Sequence, residues 1–262
     1  SMLPALWVSK TGLSAQDTNL TVISNNLANV STTGFKRDRA EFQDLLYQVK
    51  RQPGAQSTQD SELPSGLQVG TGVRIVGTQK NFMTGSLQTT ENPLDLAVNG
   101  RGFFQVLQPD GTVSYTRDGT FHLNSDGQIV TANGFALEPA IVVPPDAQTF
   151  TVGQDGTVSI TTAGNPAAQI IGNIQTADFI NPAGLQSQGG NLFLETAASG
   201  APQIGTPGLN GFGTTMQQTL ENSNVSTVEE LVNMITTQRA YEMNSKVIST
   251  ADQMLSYVTQ NL

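Results

Sequence analysis

Asp110-Gly-Thr-Val-Ser-Tyr-Thr-Arg-Asp118-Gly-Thr-Phe-His-Leu-Asn-Ser-Asp126-Gly127 places the same dipeptide at three points eight residues apart. Aspartate followed by glycine favours a tight turn, because the carboxylate accepts from its own backbone and glycine enters left-handed conformations without penalty. Asn99-Gly100 extends the pattern backward and Asn133-Gly134 forward. Turns so closely spaced predict short strands between them, over Phe103 to Leu107, Val113 to Arg117, Thr120 to Leu123 and Gln128 to Ala132. Alternating runs from Thr151 to Ile160 and from Leu192 to Thr196 continue the β region.

Outward from this centre the punctuation changes. Gln52 to Gly77, with Pro53-Gly54 and Pro64-Ser-Gly66, is polar and broken, and reads as an extended connector. At the start, Leu6, Leu13, Leu20 and Leu27 recur every seven residues, with Leu3, Ile23 and Val30 beside them. At the end, Met234, Tyr241, Ile248, Leu255 and Leu262 take the same step, with Leu231, Ala251 and Val258 alongside. Both ladders are narrow stripes, which suit helix-on-helix packing better than a helix laid on a sheet. Ser226, with Glu229 three residues on, predicts the start of the second helix as a capping box. No Gly or Pro interrupts Thr227 to Leu262. The fold class is α+β: a discontinuous, coiled-coil-like helical domain from both termini with a β-rich domain inserted. The expected boundaries are 1–35 for the first helix, 36–80 for the connector, 81–221 for the β-rich middle and 222–262 for the last helix.

The formal charge is −9, from 12 basic and 21 acidic residues. The span 81–220 holds only Arg101 and Arg117 against ten acids, a local −8. Such a chain has no long-range attraction to phosphate backbones or anionic lipid, so nucleic acid is not an expected partner. No apolar run approaches the roughly 18 residues of a membrane span, and no basic segment followed by an apolar one marks a cleaved secretory signal. The basic cluster Lys36, Arg37, Arg39, Lys50 and Arg51 is interleaved with Asp38, Glu41 and Asp44, and reads as a solvated helix face or as a match for a neighbour's acidic middle.

Catalysis and metal binding find little support. The absence of cysteine excludes thiolate chemistry, and His122, the sole histidine, excludes multi-histidine metal sites. Alternation puts Phe121 and Leu123 on one face of their strand and His122 on the other, wet one. No Gly-x-Ser-x-Gly elbow is present, and isolated Asp-Gly pairs lack the clustered oxygens of a calcium loop. A carboxylate pair for glycoside hydrolysis is a three-dimensional feature that sequence leaves open. No cofactor is expected, and the chain reads as a non-enzyme. A β-rich glycan-binding adhesin is the rival from another class. It would need an aromatic-lined site, whereas aromatics are 6% of the chain and Trp7, the only tryptophan, lies in the first helix.

Five stretches in order carry a resemblance. Asn25-Asn-Leu-Ala-Asn-Val-Ser-Thr-Thr-Gly-Phe-Lys-Arg37 resembles the N-terminal signature of flagellar rod, hook and hook-associated axial proteins. Asp95-Leu-Ala-Val-Asn-Gly-Arg-Gly-Phe-Phe-Gln-Val106 and Tyr115-Thr-Arg-Asp-Gly-Thr-Phe121 are similar to their central motifs. Asn224-Val-Ser-Thr-Val-Glu-Glu-Leu-Val-Asn-Met-Ile235 and Gln238-Arg-Ala-Tyr-Glu-Met-Asn-Ser-Lys246 resemble their C-terminal signature. Length and the run from Asp44 to Gly72 are most similar to the distal-rod branch; proximal-rod and hook branches share the terminal motifs but differ in the connector or the insert.

The resemblance implies a self-assembling structural subunit: a tubular helical polymer in the periplasm that carries rotation to the hook and encloses an export channel. It implies as partners the chain itself, proximal-rod and hook or hook-junction proteins, ring bushings and the flagellar export apparatus, with export requiring no cleaved signal. The expected polymerisation seams are Leu6, Leu13, Leu20, Ile23 and Leu27 with Leu231, Met234, Tyr241, Ile248, Leu255 and Leu262. Periodicity alone also allows a hairpin within one molecule. Asn25, Asn26 and Asn29 are either plain polar helix positions or amides that satisfy backbone where the chain turns outward, with Gly34 as the turn and Phe35 as an anchor. Gln238 belongs to the motif, and Arg239 is either a solvated charge or a fork-like donor across packed helices.

Overall fold

The computed structural model describes residues 2–44 and 73–260. It divides into two compact units, one formed by residues 1–28, 38–80 and 226–262, the other by 29–37 and 81–225.

The first unit is built on two helices. Helix α1 (Met2–Ala28) carries Pro4 in its first turn, where the missing N–H would have had no intrahelical acceptor. Helix α2 (Thr227–Gln260) begins with Ser226 Oγ accepting the Glu229 N–H at 3.3 Å, as the capping reading expects, and Glu229 and Glu230 lie at the positive end of its dipole. The two pack antiparallel. Asn19 Nδ2 donates to Thr237 Oγ1 at 3.1 Å, and seven residues away in opposite senses Gly12 lies against the Asn244 amide. Strand β1 (Asp38–Asp44) pairs antiparallel with β2 (Val73–Lys80), and Lys80 Nζ meets Asp38 Oδ2 at 3.2 Å. The segment after Arg37 is therefore strand rather than the expected helix face. Residues 45–72, which hold Lys50, Arg51 and most of the connector, lie outside the described residues.

The second unit is β-rich. Its short strands are β3 (Leu87–Thr89), β4 (Leu96–Asn99), β5 (Phe103–Leu107), β6 (Val113–Thr116), β7 (His122–Leu123), β8 (Ile129–Val130) and β9 (Ala136–Leu137). They continue with β10 (Ala147–Val152), β11 (Thr157–Thr162), β12 (Asn165–Asn173), β13 (Thr176–Asp178), β14 (Gln186–Gly189) and β15 (Leu192–Leu194). The last three are β16 (Gln203–Gly205), β17 (Thr214–Gln217) and β18 (Thr219–Glu221). The main sheet runs β14-β15-β6-β5-β9-β8-β7, with β13 pairing both β5 and β16.

Strand β5 buries both of its faces, because successive side chains point opposite ways. Phe104 and Val106 enter a core with Leu96, Phe121, Ile129 and Ile160, while Phe103 enters a second core with Tyr115, Phe179 and Phe193. Rings in the second core meet edge to face, Tyr115 with Phe179 at 4.8 Å and Phe82 with Phe193 at 5.1 Å between centroids.

The Asp-Gly reading holds in its mechanism at two of the three pairs, where Asp110 Oδ1 accepts from Thr112 N at 3.0 Å and Asp118 Oδ1 from Thr120 N at 3.1 Å, whereas at Asp126-Gly127 it is Asn124 Oδ1 that accepts, from Asp126 N and Gln128 N. Gly119 has a further reason to be glycine, since a Cβ there would stand 1.5 Å from the Leu96 carbonyl oxygen.

Two strand readings change. Thr151 to Ile160 is a hairpin, not one run: Gly156, at φ +84°, turns the chain between β10 and β11. Leu123 does not share the burial of Phe121. It sits beside His122 in β7, at one end of the main sheet, and both side chains are exposed.

Candidate functional site

In the helical unit the seven-residue ladders flank the intramolecular contact rather than form it. Gly12 and Asn19 mark the line of α1 that meets α2, and the buried residues of α1 are Ser9, Ala15, Ile23 and Asn26, the last of them bonded to β1. Leu6, Leu13, Leu20 and Leu27 stand to one side of that line and are half-buried. On α2 the buried positions are Glu230, Thr237 and Ala251, seven and fourteen residues apart, with Asn244 completing the series. Met234, Ile248 and Leu255 are half-buried, whereas Leu231 and Tyr241 are exposed; Leu262 lies outside the described residues. The intramolecular seam is thus small and polar. It admits close approach and fixes register through paired amide and hydroxyl groups, which an all-leucine contact does not do.

The large apolar residues of α2 face outward. Val228, Leu231, Val232 and Ile235 form one stripe along its first turns, and Met243, Val247, Met254 and Tyr257 form another farther on. At 100° per residue the first stripe lies roughly 155° from the seam, on the far side of the helix, and the second roughly 75° round in the other sense. Val228 is 73% exposed and Met243 68%. Gln238, Arg239, Glu242 and Lys246 occupy the surface near Ile235 and Met243, and Arg239 has no hydrogen-bond or ion-pair partner among the described residues. That placement favours the solvated reading of Arg239 within one molecule.

The motif asparagines separate by role. Asn25 is exposed. Asn26 is buried and mimics a strand neighbour: its Nδ2 donates to the Asp38 carbonyl at 2.9 Å, and its Oδ1 accepts the Asp38 N–H at 2.9 Å. In the β-rich unit, Asn29 Oδ1 accepts from Thr32 Oγ1 at 3.0 Å. Gly34 takes φ +71° and gives its N–H to the Glu221 carbonyl at 2.8 Å; a Cβ would stand 2.8 Å from the Asp118 nitrogen. Phe35 is buried beside it.

Sequence reading misplaced the residue after Phe35. Lys36, taken for part of a solvated cluster, is fully buried with its ammonium on Glu221 Oε1. Arg117 Nε meets Glu221 Oε2 at 2.8 Å, and its other nitrogens reach the carbonyls of Val98, Gly100 and Gly102 at 2.9, 2.7 and 2.6 Å. Gly85 N donates to Glu221 Oε1 at 2.9 Å, and Lys36 Nζ reaches the Met83 carbonyl at 2.8 Å. Every charge in the cluster is met, the condition under which buried ions survive folding. Burial pushes the Lys36 pKa below its ordinary value, against the pull of Glu221, and the Arg117 charge pushes the same way. One carboxylate, at residue 221, therefore clasps three sequence-distant points: Lys36, Gly85 and Arg117. The only sequence signal was the presence of Lys36 and Arg117 within the quoted motifs.

Among the described residues no group of three or more His, Cys, Asp and Glu side chains is placed to hold a metal ion. His122 is exposed at the sheet's edge, and no helix of the described residues is long and apolar enough to cross a membrane.

Known proteins match the chain along its length. The family described as "Flagella basal body rod protein" matches residues 6–36, "Flagellar hook protein FlgE/F/G D1 domain" residues 97–160, and "Flagellar basal body rod FlgEFG protein C-terminal" residues 216–261. The flagellar basal-body rod protein FlgG of Buchnera aphidicola subsp. Schizaphis graminum is 55% identical over 259 residues, 99% of this chain and 100% of its own. The FlgG of Caulobacter vibrioides is 49% identical, covering 98% and 99%, and that of Bacillus subtilis 38%, covering 97% of each. With terminal helices packed on each other, a β-rich insert and full-length identity of this order, the chain belongs to the flagellar basal-body rod proteins, a structural family and not an enzyme family, in its distal-rod branch.

Proposed function

We propose that this rod subunit polymerises through its terminal hairpin into a hollow helical shaft, which carries rotation from motor to hook and encloses the export channel. The observation that carries the reading is the reversed helix α2: its seam is small and polar while Val228, Ile235, Met243 and Tyr257 face out on two sides. Apolar surface on two sides of each hairpin suits a lattice in which every hairpin lies between neighbours, and burial there contributes about 25 cal/mol per Å². The half-buried ladder of Leu6, Leu13, Leu20 and Leu27, with Leu231, Met234, Tyr241, Ile248, Leu255 and Leu262, forms the remainder of that contact. Identical subunits that meet by unlike faces extend into an open filament, and modest contacts summed over the lattice give torsional stiffness.

The same reading places the shaft in the periplasm, continuous with proximal-rod subunits below and with hook or hook-junction subunits above, inside ring bushings. The subunit reaches that position through the flagellar export apparatus. Its terminal helices are loose in the free subunit and become ordered on docking, because long helices with a thin seam hold poorly alone.

Electron microscopy of concentrated subunit tests the reading: straight hollow tubes are expected. Removal of residues 249–262 is expected to abolish them while the β-rich unit stays folded. Intact tubes after that cut, or full amide-exchange protection of both helices in the free subunit, contradict the mechanism.

A further inference from the structure

The surface of the β-rich unit is acidic almost throughout, with four bases against eleven acids in residues 29–37 and 81–225. Lys36 and Arg117 are consumed by the buried cluster, so Arg101 is the one exposed cation between Asn81 and Glu221. It stands at the rim of a groove of about 500 Å³ walled by Phe82, Met83, Phe103, Ile180 and Pro182. Met83 is 71% exposed and Ile180 78%. Arg101 Nε holds Asp178 Oδ2 at 3.1 Å, and its Nη2 reaches Asp178 Oδ1 and the Phe179 carbonyl at 3.5 and 3.4 Å. Its Nη1 has no partner among the described residues, and the side chain is 64% exposed. The groove therefore suits an apolar element that ends in a carboxylate.

The same unit carries such an element elsewhere. The β7–β8 turn, with residues 141–143 beside it, ends in Asp126, which is exposed and whose carboxylate has no partner among the described residues. Leu123 lies opposite Ile129 and Val142 opposite Gln128, so the two exposed apolar side chains point to opposite faces of this tongue. Val143 N to Gly127 O at 2.8 Å and Gly127 N to Asn124 O at 3.0 Å hold the tongue in shape. It is remote from the groove: the groove opens at the start of β5, and β7 is three strands away across β9 and β8, roughly 15–20 Å. Two complementary patches in different places on one subunit define a heterologous contact, the kind that propagates.

We infer that the groove takes the β7–β8 tongue of a second copy of this chain, with Leu123 and Val142 against Met83 and Ile180 and Asp126 on Arg101 Nη1. A copy of this chain is the occupant the charge pattern favours. Two acidic units repel wherever carboxylates face each other, and Arg101 marks the place where a neighbour's carboxylate is instead welcome. The inference rests on the polymer reading above and adds to it a contact outside the helices.

The chain has no cysteine, so cross-linking can be read without background. In the full-length double variant Leu123→Cys with Ile180→Cys, oxidation of the assembled polymer is expected to give a ladder of covalent multimers, while Ile170→Cys with Ile180→Cys stays monomeric. Arg101→Asp and Asp126→Arg are each expected to raise the critical concentration about tenfold, and their combination to restore it. Asp126 lies on the surface, so its variant keeps the test sound should Arg101→Asp disturb the Asp178 pairing. Tubes of the first double-cysteine variant that give no ladder on oxidation, or only dimers, or single charge variants that assemble like wild type, overturn the tongue-in-groove contact and leave the helical polymer standing. Wild-type protein that forms no tubes overturns both.

Discussion

The helical hairpin and the β-rich unit bury opposite kinds of side chain. Inside the β-rich unit are Phe104, Phe121, Ile129 and Leu137, and its deepest ions, Lys36 and Arg117, meet on Glu221. Buried in the hairpin are Ser9, Asn26, Glu230 and Thr237 with Ala15, Ile23 and Ala251, a mostly small or polar set, while Val228, Ile235, Met243 and Tyr257 stand in solvent. By the transfer free energy of apolar area, the first arrangement is complete in one molecule and the second leaves its largest gain for another molecule to collect. Stability of the β-rich unit thus comes from within, and that of the hairpin from its neighbours.

The contrast can be broken most forcefully at the β core. Phe104→Ala removes a ring that no solvent reaches and that meets Phe121 edge to face at 5.2 Å. Denaturant titration of the β-rich unit should show a loss of about 3–5 kcal/mol. A loss under about 1 kcal/mol would mean that this core is not what holds the unit.

Glu221→Gln is expected to cost about as much at neutral pH, roughly 3–5 kcal/mol, since it strands two buried cations. Its signature lies in the pH dependence. Burial already lowers the Lys36 pKa from 10.5, so between the lowered folded value and 10.5 the unfolded chain binds more protons and stability rises with pH. Removal of Glu221 takes away the opposing influence and widens that window. Melting curves of the variant should recover as pH climbs toward 10.5; an equal deficit at pH 7 and pH 10 contradicts the clasp.

On the outer face of α2 the expectation reverses. Ile235→Ser and Met243→Ser should leave the isolated subunit within about 0.5 kcal/mol of wild type and yet weaken assembly, as thermal melts and sedimentation together will report. A large loss in the monomer would place those side chains inside, against the contrast drawn above.

The smallest effect is expected from Asp118→Asn. Burial raises the Asp118 pKa above 3.8, so its charge is a penalty at neutral pH that fades as pH falls through the folded value. The amide oxygen keeps the acceptor for Thr120 N, and the gain at pH 7 should be under about 1 kcal/mol, vanishing near pH 3.8.

Local chemistry made much of this legible. Asp-Gly turns, the Ser226 cap and the uninterrupted run from Thr227 are decided by residues within a few positions of each other, and they fell where expected. The turn at Gly156 is not legible in the sequence because alternation continues on both sides of it. Strand β12 was overlooked because most of its side chains are exposed and its sequence does not alternate. The burial of Lys36 is not legible for a different reason: the carboxylate that draws it inside is 185 residues away in the chain. The centre of the helical seam escaped notice because Gly12, Asn19, Thr237 and Asn244 look like ordinary polar positions until the other helix is laid beside them.

Sequence by itself determined the periods and the punctuation: two long helices at the ends, short strands between glycine turns, an acidic middle and the motifs of a rod protein. Tertiary structure alone decided which charges went inside and which large apolar side chains stayed out. Period and turn are local properties of the backbone, whereas burial depends on which distant segment arrives to exclude water.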